Sequence, residues 1–544
     1  SFFVAAFGSD RIARLSATQP GQVLSRVELS STGAGATADP RHKRGPRGLA
    51  LKAASQRLYV LNRIANSISI IDTANDKLLK EIPVGSNDPT PDIIRQGRGF
   101  LYDAKLSGNG TVSCASCHID GELDALAWDL GDPAGALVTN RTVLPIPIPP
   151  FSLTNNSVFH PMKGPMTTQT LRGLKGQDPL HWRGDRTNFT HFNGAFASLL
   201  GGSALSQTDM NAFRDFINTI TFGPNPNQNL DRTYPTNFAG GNAEAGRVAY
   251  MFTNYAGGLT CNNCHTAPPG TGSNGGIIPA NALQESQDFK VPHLRNIYQK
   301  LGFDNTPGAN SRLGFGLTHD GIDSTLQGFL SRAVFTNIRN DTTIKNNLAA
   351  FVQCFDTGLA PAVGYGRTVS TNNVTAPAVT ADWALLESQA AATNIDLVVR
   401  GTVDGLRRGL LYNPASGTYR PDTATLPTFT RAQLTAKIQG GDTLTLLGVP
   451  PGSGQRLGID RNLDGVLDAD TPAPALQIAR TGTNVVVDWP LAAAGFDLEA
   501  TPGLSPAAWQ SAPEPWEILD GRNYMTNASG DAGRFFRLHW KNAP

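Results

Sequence analysis

Two five-residue stretches, Cys114-Ala-Ser-Cys117-His118 and Cys261-Asn-Asn-Cys264-His265, constrain this chain more than anything else in it. Each reads C-x-x-C-H. That spacing brings both sulfurs to one side of a single helical turn, and the histidine follows directly. These residue types suit a haem whose vinyl carbons take the sulfurs as thioethers and whose iron takes the imidazole. A thioredoxin-like dithiol or half of a zinc site uses the cysteine pair, but neither explains a histidine at the same offset twice. The sequence therefore predicts two covalently bound haem c groups. Cys114, Cys117, Cys261 and Cys264 are the attachment points, and His118 and His265 are the proximal ligands.

At 544 residues the chain is too long for one core, and about three or four domains are expected. The formal net charge is +1 and there is no basic run, which argues against a nucleic-acid partner. Only 16% of residues are charged, whereas there are 57 glycines and 37 prolines, a balance that favours a loop-rich exported protein. No apolar run is long enough to span a bilayer. Because c-type haem is attached after export, the expected location is periplasmic or extracellular, with a leader removed ahead of Ser1. Haem takes four of the five cysteines. The fifth, Cys354, reads as a buried helix position.

The fold class expected is multidomain: two mainly α cytochrome c-type haem domains flanked by β-rich ends. Residues 1–95 are β-patterned through Phe2–Leu15, Arg57–Asn62 and Asn66–Asp72. These units resemble blades of a YVTN-type β-propeller. Two blades cannot close a propeller, so the segment is expected to be truncated or completed by another part or subunit. A first haem domain, 96–235, opens with a helix near Arg98–Leu106 and passes an extended Pro145–Pro150 connection. It continues through Thr170-Leu-Arg-Gly173, Leu180-His-Trp-Arg-Gly-Asp185 and a helix capped at Thr208 or Asp209. A second, 236–370, has a helix over Asn242–Phe252, then Phe289-Lys-Val-Pro-His-Leu-Arg-Asn296 and Leu317-Thr-His-Asp-Gly321. The common order of parts argues for a duplicated domain. Residues 371–455 read as an α+β segment without evident chemistry, 456–472 as a calcium-loop linker, and 473–544 as a small β-sandwich.

The region from about 96 to 370 resembles the bacterial dihaem cytochrome c peroxidase superfamily, which includes the dihaem enzyme of methylamine utilisation. The resemblance rests on the attachment motifs, on Phe289–Asn296 followed by His319-Asp-Gly321, and on His181-Trp-Arg-Gly-Asp185, where the family carries Phe-Trp-Asp-Gly-Arg. It implies one haem, usually the first, with an open distal face for peroxide or oxygen, and a second that stores or relays an electron. It implies that Trp182 lies between them, as a relay or simply as filling. The expected partners are a redox donor protein or small electron donor, and the β-rich ends offer surfaces for a subunit.

The family's pocket carboxylate is missing after Asp185. Cleaving an O–O bond needs a group that moves a proton between the oxygens, and His181 or His191 is available. Each is equally readable as a sixth iron ligand or a core histidine. For the second iron, His319 leads the sixth-ligand candidates, ahead of His293, Tyr298 and the distant Met162 and Met166. The rival reading makes His319 a turn residue. Three functions follow: a peroxidase-like oxidoreductase, an oxidase or oxygenase of a bulky substrate or partner protein, or a non-catalytic electron-transfer cytochrome. Separately, Asp460, Asn462, Asp464, Val466 (by its carbonyl) and Asp468 match the first part of a calcium loop, although Thr471 stands where a glutamate would close it. A plain acidic turn is the alternative.

Overall fold

The computed structural model describes all residues except 30–37, 86, 141–146, 149–150, 153–156, 256–257, 284, 303–306, 309–314, 472–473, 491–495, 513–516, 520–521, 529–533 and 541–544. Seven strands come first: β1 (Phe2–Ala6), β2 (Arg11–Leu15), β3 (Val23–Glu28), β4 (Pro46–Lys52), β5 (Arg57–Asn62), β6 (Ser67–Asp72) and β7 (Lys77–Pro83). They form a three-stranded and a four-stranded antiparallel meander. Strict alternation drives them: β5 buries Leu58, Val60 and Asn62 and turns Tyr59 and Leu61 outward. The two meanders share one core, with Ile12, Val27 and Leu29 against Leu58, Val60 and Ile71. A buried ion cluster ties them to the next element. Lys43, whose side chain is 0% exposed, lies 3.1 Å from the Asp10 carboxylate and 3.6 Å from that of Asp103.

Between 96 and 370 the structure corrects the expected fold class. The haem-motif regions are not mainly α. Among the described residues only four α-helices there exceed four residues: α1 (Asp92–Tyr102), α2 (Gln207–Ile217), α3 (Ala243–Phe252) and α4 (Thr342–Gln353). The rest is turns, short helices and two- or three-residue ladders. The physical reason is glycine and proline, which punctuate almost every stretch between those helices. Two boundaries also move. The first helix begins at Asp92 rather than near Arg98, and Ser206 caps α2 by accepting from Asp209 N at 3.1 Å. Of the Pro145–Pro150 run only Pro147–Ile148 lies among the described residues, as a two-residue strand paired with Phe151–Ser152 rather than an extended connection.

These sparse elements repeat. In each half a helix before C-x-x-C-H packs on one near the end of the half, α1 on α2 and α3 on α4. Each crossing depends on a Gly-Arg pair. A Cβ on Gly97 would stand 2.3 Å from Ala212 O, and one on Gly246 would stand 1.9 Å from Asn347 O. Each half then has a two-residue ladder, β8 (Ala127–Trp128) with β9 (Met166–Thr167), and β10 (Ile277–Ile278) with β11 (Phe289–Lys290). Each also has a tight loop closed by one bridge, Leu180↔Arg186 and Leu317↔Asp323.

Residues after 365 form a six-stranded antiparallel sheet with the helices Pro377–Ala391 and Arg431–Gln439, around a core containing Trp383, Leu386, Val399, Tyr419, Leu434 and Leu446. At the end, a four-stranded and a three-stranded sheet close over Val487, Trp489, Leu498 and Met525. Among the described residues no helix is long and apolar enough to cross a membrane.

The glycine crossings generate a direct test. Gly246→Ala gains about 1 kcal/mol of helix propensity but drives a methyl into a backbone carbonyl, and overpacking of that kind costs about 1–3 kcal/mol or more. We expect a net loss of stability in denaturant unfolding, whereas an alanine at the exposed Val248 one turn-face away should change little.

Candidate haem-binding and active site

Both attachment motifs are single helical turns with the same local cause. The residue before the second cysteine reaches back to the turn's first backbone N–H: Ser116 Oγ accepts from Ser113 N at 3.1 Å, and Asn263 Oδ1 from Thr260 N at 2.7 Å. The turn then closes with His118 N donating to Cys114 O at 3.0 Å and His265 N to Cys261 O at 2.8 Å. In the second half Tyr250, buried on α3, donates to the His265 carbonyl and pins the turn to the helix.

His265 Nδ1 donates to Pro292 O at 2.9 Å, which leaves Nε2 with its lone pair. Among the described residues His118 Nδ1 is buried without a hydrogen-bond partner, and the backbones of Glu122 and Gln169 stand near its ring. Gln169 and Pro292 each lie two residues before the leucine of the Leu-Arg pair in their half. Burial lowers the pKa of both histidines, so both favour the neutral, ligating form.

None of the five cysteines forms a disulfide among the described residues. Burial pushes the Cys114 thiol up to about 11 and Cys261 up to about 12, opposite to the lowered value of a thioredoxin-type nucleophile. Among the described residues no three His, Cys, Asp or Glu side chains converge on one point. A C-x-x-C turn that runs straight into a buried histidine suits a c-type haem. Cys354 closes α4 fully buried. Its Sγ donates to Asn227 O at 3.2 Å and its pKa is pushed up to about 12, so it is an inert packing thiol.

The two tight loops have the same backbone shape. Left-handed residues fall at the same two steps, His181 (φ 72°) and Gly184 (φ 66°) in one, Thr318 (φ 68°) and Gly321 (φ 76°) in the other. In this register the partner of His319 is Trp182, not His181. Each loop docks on the opposite half. Lys290 N on β11 donates to Trp182 O at 2.8 Å, and Thr167 N on β9 donates to His319 O at 2.7 Å. Trp182 is buried, and its indole N–H donates to Thr167 O at 2.9 Å. The His319 ring stacks on Phe289 at 4.3 Å. Its Nδ1 lies 3.3 Å from Pro165 O, and its buried Nε2 has no hydrogen-bond partner.

His181 carries the site's strained backbone, since positive φ is uncommon for histidine. Its Nδ1 bonds the Asp185 carboxylate at 2.7 Å. Asp185 is itself buried and also accepts from Arg183 at 2.9 Å, with Arg186 at 3.5 Å. Its pKa is driven far down despite burial, because His181 and both arginines hold it ionised. Burial lowers the His181 pKa, and Asp185 opposes that shift. Asp185 is the group that reading the sequence missed. It is a carboxylate within the loop, four residues beyond the histidine it bonds. The edge of the His181 ring is packed at 4.7 Å by Phe192.

Two other expectations are not gathered here. His191 lies exposed on the turn Phe189–Gly194, away from this cluster. In the acidic loop, Asp460 is buried with Oδ1 unpartnered, but Asn462 bonds Asp464, Asp464 caps Val466 N, and Asp468 is held by Arg461.

No family model matches the chain, and no curated protein matches it. Among solved structures, hydrazine synthase of Kuenenia stuttgartiensis, studied under 20 bar of xenon, is similar over 49% of this chain and 90% of its own, with 17% sequence identity and a TM-score of 0.33.

Proposed function

We propose that the chain is an exported dihaem c-type oxidoreductase of peroxidase-like chemistry. Its first attachment site, Cys114–His118, would be the reactive one, and its second, Cys261–His265, would exchange electrons with a donor. The observation that supports this reading is the pairing of two C-x-x-C-H turns, each closed by its histidine N–H on the first cysteine's carbonyl, in two interlocked halves. A bound haem would supply the redox chemistry and the site at which peroxide or oxygen is reduced.

The chain's own contribution is proton handling and position. Asp185 fixes the His181 tautomer with the proton on Nδ1, so Nε2 is free to take a proton from a bound peroxide and return it to the leaving oxygen. With Asp185 ionised and His181 kept from charging by burial, the imidazole is neutral and basic near neutral pH. Trp182 fills the junction between the halves and is the candidate for passing an electron across it. A second reading has one specific support. His181 and His319 both have Nδ1 engaged, as sixth iron ligands would, although His319 Nε2 lies 3.7 Å from the Glu285 carboxylate. The protein would then be an electron-transfer cytochrome.

Two outcomes separate these readings. For a peroxidase, His181→Gln should lower peroxide turnover by about 10²–10⁴-fold, measured with a reduced donor in the holoprotein. Unchanged turnover would remove His181 from the chemistry. Asp185→Asn removes the group that raises the His181 pKa, while Lys163 and Arg186 continue to oppose its protonation. The acid limb of the pH–rate profile should therefore move to lower pH, and the maximal rate should fall as the tautomer is lost.

A further inference from the structure

The two halves match in backbone but not in charge. In the second half, Phe289–Lys300 carries Lys290, His293, Arg295 and Lys300. Counting from the Leu-Arg pair, the first half has Thr167, Thr170, Arg172 and Gln177 at those places. Arg172 is neutralised by Glu122. Among the described residues Arg295 has no carboxylate bonded to it, and its Nε is buried without a hydrogen-bond partner. The nearest carboxylate acting on it, Asp356, is already held in two bonds by Arg232, both at 3.0 Å.

Lys300 is the most exceptional group. It is 7% exposed, and its Nζ lies over the Trp182 ring at 5.1 Å and over Phe315 at 5.8 Å. Among the described residues no carboxylate acts on it, and burial alone pulls its pKa down to about 8. Lys290 is buried too, but it donates to Gln177 O and has Asp178 nearby. Aromatic faces recover only part of the cost of burying an ammonium group. Lys300 is buried and Arg295 half-buried, and among the described residues neither is bonded to a carboxylate, so this segment, which also orients His265, suits an anion.

We propose that Lys300 and Arg295 anchor the propionate carboxylates of the haem carried by Cys261 and Cys264, at the junction with Trp182. This rests on the haem reading above, and it assigns to that haem a charged anchor that the first half lacks. It also bears on Trp182. An unpaired ammonium over the indole would make removing an electron from it costly, and a carboxylate paired with Lys300 would offset that.

The test uses the holoprotein from a host that matures c-type cytochromes, with Lys300→Met and Lys300→Arg. Both haems are followed by spectroelectrochemical titration and by the propionate bands in resonance Raman. Lys300→Met should lower the reduction potential of one haem and shift its propionate bands, leaving the other haem unchanged, and Lys300→Arg should stay near the parent protein. Potentials and bands unchanged in Lys300→Met would overturn the proposal. So would a gain in thermal stability, the result of deleting a buried unpaired charge. If Lys300→Met does not accumulate, Arg295→Gln is read by the same criteria. A parent protein with no covalent haem would overturn the haem reading and this proposal together, and the pyridine haemochrome spectrum distinguishes that result from a failed anchor.

Discussion

Two backbone hydrogen bonds hold the centre of this molecule together: Lys290 N to Trp182 O, and Thr167 N to His319 O. Each joins a loop from one half to a short ladder in the other, so neither half completes its own junction. A backbone bond of this kind contributes about 1 kcal/mol by itself, yet leaving one of these buried groups unpaired would cost more. The exchange therefore fixes where the halves meet. It also places Trp182 and His319 at related positions on either side of that meeting point. Everything argued about communication between the two attachment sites depends on this interlock.

The recurring order of parts suits one scaffold used twice. Helix crossings at Gly97 and Gly246 and capped C-x-x-C turns recur in both halves. The first half adds His181 bonded to Asp185. The second half adds cations beside His293. These differences lie in the loops and short ladders rather than in the helices.

Much of the site was legible because it is local. C-x-x-C-H, Leu-Arg-Gly/Asn and the Gly-Asp and Asp-Gly turns are short spacings that a single stretch can reveal. What could not be read is long-range or conformational. Trp182 and His319 share a position only through left-handed φ at His181 and Thr318, and their side chains have nothing in common. Asp185 looked like a turn residue until the loop closed it onto His181. The expected helices near Arg98, after Thr208 and over Asn242–Phe252 have counterparts in α1, α2 and α3, but the stretches between them, rich in glycine and proline, hold little further helix. In the acidic loop Arg461 pairs with Asp468, an interaction that a ligand pattern does not register. The β-patterned ends follow alternation in strands such as β5, which buries one face.

The central claim is two covalently held haems with one iron open to exogenous ligands. Low-temperature EPR with optical spectra on the oxidised holoprotein, before and after one-electron reduction, tests it most directly. The account predicts two haems per chain and a high-spin signal from one of them that peroxide or cyanide perturbs. Two low-spin haems indifferent to both ligands in either redox state would contradict it and leave an electron carrier.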